Sequence, residues 1–393
     1  MTPGARVAAA IEILDAINAG HPAEVALTRW ARRSRFAGSK DRAAIRDHVF
    51  DAQRLRPRAA HAGRGTRGRA LMIGLLRLTG QPLDALFNGA GHAPAALTPE
   101  EVQEPAPATD LATLWCVPGW QVPLFQSALG ARAAATAEAL QQRAPLSLRV
   151  NTAKTTLAKA QASLAEDGIA TRVNPLSETA LSITSGARRL RQSATYLQGL
   201  VELQDAASQA VADLVPSGGR VLDYCAGGGG KTLALAADPT REVFAHDIDP
   251  KRMSDLPARA ARAGANVRLL QPEELADVGP YDTVLCDAPC SGSGAWRRSP
   301  EGKWALTPAR LDALQAIQDE ILAHAATLTK PEGTLIFATC SVFKEENEDR
   351  VAHFLRQNPD WTARFSQRFD VSRDGDGFFT AHLCRHSGGA QQF

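Results

Sequence analysis

The sequence predicts an α/β protein whose later half is a doubly wound parallel sheet, and two observations carry that reading. From about residue 200 onward, short apolar runs alternate with helical stretches, the pattern of βαβ units. Two of these runs, Tyr281-Asp-Thr-Val-Leu-Cys-Asp287 and Gly333-Thr-Leu-Ile-Phe-Ala-Thr339, lead into the cysteine segments Asp287-Ala-Pro-Cys290-Ser291 and Ala338-Thr-Cys340-Ser341-Val342. Buried parallel strands read as continuous apolar runs and carry active-site groups beyond their carboxyl ends. Two thiols delivered to one rim therefore point to covalent chemistry rather than packing.

At 393 residues the chain exceeds one ordinary core. We expect a basic helical domain over 1–92, a Pro/Ala-rich linker over 93–110, a small α+β segment over 111–200 and the sheet domain over 201–393. An apolar content of 44% with 22% charged residues is that of a globular protein. No apolar stretch approaches the roughly 20 residues needed to cross a bilayer, and the start lacks a signal-peptide core. A cytoplasmic protein with no membrane partner is expected. The six cysteines are scattered without a CxxC pair, so reduced thiols are expected and neither a disulfide scaffold nor a bound metal.

The net charge of +2 hides an asymmetry, because residues 1–70 hold fourteen Lys/Arg against six Asp/Glu. Arg29, Arg32, Arg33, Arg35, Lys40, Arg42, Arg46, Arg54, Arg56 and Arg58 form an electrostatic footprint for a polyanion, with a solvated helical surface as the plain alternative. Helical spacing in Val7–Leu14 and a cap at Ser39-Lys-Asp-Arg42 make this region all-α. Four prolines between His92 and Asp110 argue against regular structure there. Beyond them come a helix over 130–142 and strands at Leu146–Val150, Ala170–Val173 and Ala180–Ile183.

Arg220-Val-Leu-Asp-Tyr-Cys225 reads as a strand, and Ala226-Gly-Gly-Gly-Gly-Lys-Thr232 turns it into a helix. The glycines allow a sharp turn and close approach of a ligand. The next strand ends at Asp247, where a carboxylate can accept ribose hydroxyls. A Walker loop fails, because Cys225 stands where its first glycine belongs. A dehydrogenase fingerprint fits Gly227-Gly228-Gly229 but meets Thr232 in place of its third glycine. A methyltransferase using S-adenosyl-L-methionine needs only the glycine turn and the acid, and both are present.

Carbon 5 of a pyrimidine is too weak a nucleophile to attack a sulfonium, so a thiolate must first add to carbon 6. After methyl transfer a base must take the carbon 5 proton before the thiol can leave. One thiol can add and the other assist release, while Asp287 holds the ring nitrogen and amino group of cytosine. Cys225 and Cys286, inside strand runs, read instead as packing.

The chain resembles the RNA cytosine-5 methyltransferases of the RsmB/NOP2/NSUN group. The matches are Arg149-Val-Asn151, Gln204-Asp-Ala-Ala-Ser-Gln209, Val221–Thr232, Asp287–Gly294, Arg297-Arg-Ser-Pro300 with Lys303-Trp304, Ala338–Val342 with Glu345-Glu-Asn347, and Asp376-Gly-Phe-Phe379. They cover about residues 111–386. The resemblance implies a Rossmann-like core with a late strand over Asp376–Cys384, antiparallel at the sheet edge. It also implies Cys340 as nucleophile, Cys290 as the release residue, and cofactor contacts from Cys225, Ala226, Gly227, Gly228, Gly229, Gly230, Lys231, Asp247 and Asp287. Gly227 and Gly228 replace the family's usual Ala-Pro, which implies a more flexible loop. An acid that would cap the adenine amine has only Glu273 or its neighbour to fill it. Lys231 either touches ligand or caps a loop carbonyl. Arg297 and Arg298 are expected to hold a phosphate, whereas Trp296 and Trp304 read as core more than as stacking platforms.

Gly38–Arg42 followed by Val49-Phe50 is similar to the NusB-type domain of the bacterial RsmB branch. It implies 16S ribosomal RNA as partner, naked or in a small-subunit assembly intermediate. An amino-group methyltransferase and a non-catalytic RNA-binding assembly factor are the alternatives.

Overall fold

The computed structural model describes residues 1–386; positions 387–393, the end of the expected 201–393 domain, lie outside the described residues. By compactness the chain forms two units. The first is Met1–Arg143 with Trp296–Ala305, and the second is Ala144–Ala295 with the chain from Leu306 onward. No helix among the described residues is long and apolar enough to cross a membrane.

The first unit is helical. Its opening helix, Pro3–Asn18, starts where sequence chemistry allows: Thr2 accepts the Ala5 N–H at 3.2 Å, and Pro3 occupies a position whose N–H has no partner anyway. Ala23–Arg33, Ser39–Arg54, Arg56–Ala62 and Gly68–Leu78 follow, around a core that includes Ile13, Leu14, Ile45, Val49, Leu71 and Met72. Ser39 is the first helical residue rather than the cap. The Gly38 N–H is taken by the Asp41 carboxylate at 3.2 Å.

The proline-rich stretch is not wholly irregular, because Pro99–Val102 makes one helical turn. Thr98 and Glu101 cap it reciprocally, and Arg69 holds the Glu101 carboxylate at 2.7 Å. Trp296 packs on Phe125 with ring centroids 6.4 Å apart, and the Trp304 indole donates to the Gln53 carbonyl at 2.9 Å.

The second unit carries two sheets. Strands β1 (Ser147–Val150), β2 (Ala170–Val173), β3 (Ala180–Ser185) and β4 (Val201–Leu203) form an antiparallel sheet in the order β2-β3-β1-β4. The helix Leu157–Glu166 packs Ala160 and Leu164 against it.

The larger sheet holds β5 (Gly219–Asp223), β6 (Arg241–Ala245), β7 (Val267–Leu269), β8 (Tyr281–Asp287), β9 (Thr329–Thr339), β10 (Trp361–Phe369) and β11 (Phe378–Arg385), ordered β10-β11-β9-β8-β5-β6-β7. β7, β6, β5, β8 and β9 are parallel neighbours, and helices bridge them as the alternating pattern predicts. Chain order reverses between β5 and β8, which places the crevice of a doubly wound sheet at the loops that follow these two strands.

The late strand is antiparallel to both its neighbours, but it is not at the edge. β11 lies between β9 and β10, and β10 takes the edge. The burial of the two strands gives the reason. β11 is buried along most of its length, whereas β10 is largely exposed and its polar Arg364, Ser366, Gln367 and Arg368 suit a strand with one open side.

Candidate active site

Cys290 and Cys340 meet beyond the ends of adjacent strands. Asp287 pairs with Ala338 in the ladder, and the Ala288 N–H continues it to the Ala338 carbonyl at 2.8 Å. The chain past each strand is thus held in register, and the two sulfurs stand 3.5 Å apart. All six cysteines are free thiols. The hydrogen bond with Cys340, together with burial and the nearby Glu346 charge, pushes the Cys290 thiol well up. Cys286 is fully buried, as expected of a packing cysteine, whereas Cys225 is only partly buried; burial pushes both thiols up.

Asp287, at the end of β8, is one of the few acids here with an open side, its side chain being 33% exposed. Lys231 donates to it at 2.6 Å and to the Ser208 hydroxyl at 3.0 Å. Lys231 is itself buried, with its ammonium 4.8 Å from the centre of the Phe378 ring. Among the described residues it caps no loop carbonyl; its ammonium meets the Asp287 carboxylate and the Ser208 hydroxyl instead.

The glycine loop leaves β5 with Gly227 at φ +52° and Gly229 at φ +77°, conformations that side chains rarely adopt. The Gly227 N–H donates to Asp247 Oδ2 at 2.9 Å, and the Ala226 N–H to the His246 carbonyl at 2.8 Å, so the ends of β5 and β6 are laced together. A Cβ on Gly230 would meet nothing nearer than 3.9 Å.

Asp247 also accepts from the Asp249 N–H at 3.0 Å, and Arg252 covers it at 3.1 Å, leaving its side chain 1% exposed. Beside it opens a cavity of about 310 Å³ whose walls include Tyr224, Cys225, Asp247, Ile248, Pro289 and Ile317. Ile248, 81% exposed, is an apolar wall that carries no motif signal in the sequence. A glycine loop open on one side, a carboxylate at the end of β6 and an apolar wall fit an adenosine-bearing cofactor.

Some expected contacts are not brought together. Glu273 is exposed before the short helix Glu274–Val278 and does not line the cavity, while its neighbour Glu274 caps the Gln271 N–H at 2.8 Å. Arg297, expected to meet a phosphate, is 2% exposed within the helical unit, where its carbonyl accepts from Arg54 at 2.8 Å. Arg54 is buried too and drops out of the electrostatic footprint. A buried guanidinium serves the interior, because its charge is too costly to bury for nothing.

Other residues at the site belong to matched motifs to which sequence chemistry assigns no role. Asp223, at the end of β5, is 1% exposed and accepts from the Thr232 hydroxyl at 2.6 Å. Burial, abetted by the charge of Asp287, pushes its carboxyl up to about 7. Glu346 and Asn347 are fully buried next to the Cys340 turn. Only their place in the motif after Cys340 could have flagged them.

The family model described as 16S rRNA methyltransferase RsmB/F matches residues 210–384, and that of the RsmF/B-like ferredoxin-like domain matches 117–188. The chain is similar to ribosomal RNA small subunit methyltransferase B of Salmonella arizonae, 34% identical over 284 residues, which cover 68% of this chain and 66% of that protein. Its namesake from Cronobacter sakazakii is 32% identical over 294 residues, covering 69% of this chain and 67% of that protein. The chain thus spans about two thirds of the length of these curated relatives. The solved structure of a protein designated PH0851 shares the fold with a TM-score of 0.77 at 24% identity, over 98% of this chain and 99% of that one.

Proposed function

Because the chain belongs to the RsmB/F family of 16S rRNA methyltransferases, we propose that it methylates carbon 5 of a cytosine in small-subunit ribosomal RNA, by covalent addition and elimination at Cys340. The observation that carries this reading is the pair of thiols 3.5 Å apart beside the Lys231–Asp287 ion pair. An amino-group methyltransferase has no use for either sulfur.

In this reading Asp287 accepts from the cytosine amino group. Lys231 keeps the carboxylate turned toward the base. Motif identity makes Cys340 the sulfur that attacks carbon 6, and the ring electrons move to carbon 5. Cys225–Lys231, Asp247 and Ile248 are the residues that would hold S-adenosyl-L-methionine, which would supply the methyl group when bound. Arg252 must swing aside to free the Asp247 carboxylate. Elimination then breaks the carbon 5–hydrogen bond and the carbon–sulfur bond. A base takes the proton, the carbon–hydrogen electrons restore the ring double bond, and Cys290 passes a proton to the departing Cys340 sulfur. The target base must be unpaired or flipped out, because carbon 6 is approached from the face of the ring.

The test is a denaturing gel with RNA and S-adenosyl-L-methionine. Cys290→Ala should trap protein attached to RNA through Cys340, and Cys340→Ala should abolish both adduct and turnover. An adduct formed only by Cys340→Ala reverses the roles. Undiminished turnover by Cys340→Ala returns the amino-group reading, and failure of the intact protein to bind the cofactor by calorimetry returns the non-catalytic one.

A further inference from the structure

Glu346 is 0% exposed, and no ion pair faces it among the described residues. A carboxylate is costly to bury, and the cost is offset here by donors rather than by a cation. Oε1 accepts from the Ser291 N–H at 2.8 Å and from Gln318 Nε2 at 3.2 Å. Oε2 accepts from the Ser341 hydroxyl at 2.6 Å and from the Ser291 hydroxyl.

Ser291 follows Cys290 and Ser341 follows Cys340, so a single carboxylate holds the residue after each thiol. Gln318 extends the grip, since its amide also donates to the carbonyl of Pro289, the residue before Cys290, at 2.9 Å. Asn347 completes it from the other side: it donates to the Ser341 carbonyl at 2.9 Å and accepts from the Thr339 hydroxyl. The residues on both sides of both cysteines are therefore fixed by side chains that meet at Glu346 and Asn347. An apolar residue in place of Glu346 would leave those donors unpaired and the two turns independent.

We propose that Glu346 is a positioning residue that clamps the Cys290 turn to the Cys340 turn, and that this clamp sets the sulfur-to-sulfur approach needed for the release step. The inference rests on the covalent reading above. Addition needs Cys340 alone, whereas elimination needs Cys290 beside it. Loosening the clamp slows the second half of the reaction and spares the first.

In the full-length protein, Glu346→Ala should lower kcat about tenfold or more, while KM for RNA and for S-adenosyl-L-methionine stays within about twofold. Adduct should accumulate on a denaturing gel, as with Cys290→Ala. Glu346→Gln should recover most of kcat, because its amide oxygen can still take the Ser291 N–H while the serine hydroxyls rotate to meet its NH2. Should Glu346→Ala not fold, the double change Ser291→Ala with Ser341→Ala removes two of the four donors and should give the same split in weaker form. An unchanged kcat, a loss confined to KM, a fall in kcat without adduct, or a glutamine variant no better than alanine overturns the clamp. If Cys290→Ala traps RNA and Glu346→Ala does not, the clamp alone fails. If neither traps RNA, the covalent reading fails and the clamp with it.

Discussion

Asp223 and Lys231 differ in how their buried charge is compensated. Lys231 is buried with Asp287 and Ser208 as partners, so its burial is offset. Asp223 has a hydrogen bond on one oxygen only, and its other oxygen is buried without a partner. The carboxyl consequently keeps its proton up to about pH 7, whereas in the unfolded chain it releases it near the ordinary aspartate value of 3.8. Between those values the folded state binds the extra proton, so this residue's contribution to stability is fully present below about pH 4 and is lost as pH rises through 7. The change is on the order of a few kcal/mol. Asp223→Asn should abolish it: thermal melts of the variant, compared with the parent, should gain stability steadily from pH 4 to 7. A difference that stays flat across that range would show that Asp223 does not titrate as its surroundings imply.

At the scale of elements, the site depends on three chain segments crossing within touching distance. The Gly294 N–H donates to the Cys340 carbonyl at 2.9 Å, and the Gly377 N–H donates to the Gly294 carbonyl at 3.0 Å. The turn after β8, the turn after β9 and the approach to β11 are thus laced into one layer. A Cβ on Gly294 would lie 2.2 Å from the Gly377 carbonyl oxygen, so Gly294→Ala must push β11's entry away from the cysteine turns. We expect a loss of about 1–3 kcal/mol in chemical denaturation, the usual cost of overpacking, with a larger proportional loss of turnover. An alanine variant with parental stability and activity would mean that the layer yields freely. The interior place of β11 matters for the same reason. β11 braces the Cys340 end of β9 from one side while β8 braces it from the other, and β10 in turn covers the outer edge of β11.

At the scale of the molecule, the helical unit keeps an exposed basic face after its buried members are set aside. Arg29, Arg32, Arg35, Lys40 and Arg42 are exposed around the turn between two helices, whereas Arg33 and Arg46 pair with Glu12 and Glu24. Phe36, 76% exposed, lies in that same turn. We propose this face as the RNA-holding surface. RNA affinity should then fall with salt, and Arg32→Ala with Arg35→Ala should flatten the log–log slope by about 0.7 for each phosphate that is no longer neutralised. Filter binding across a salt series reads the slope directly; an unchanged slope assigns RNA binding to another surface.

The strands on which the chemistry hangs were legible because their signals are local. An apolar run reports its own burial, a glycine turn reports its own geometry, and Tyr281–Asp287 is bounded in the structure as in the sequence. The pairing of Cys290 with Cys340 followed from two such runs ending on one rim. The sequence alone also placed the aspartate and the loop beside them. What it left open depends on partners far along the chain. Glu346 meets Ser291 across 55 residues and Lys231 meets Asp287 across 56. Arg297 looks like a phosphate-holding residue until the helical unit that buries it is in place. The sequence by itself determined which atoms can react. The tertiary structure decided how those atoms are held, because a buried hydrogen bond or ion pair exists only once folding has removed the water that would otherwise satisfy both sides.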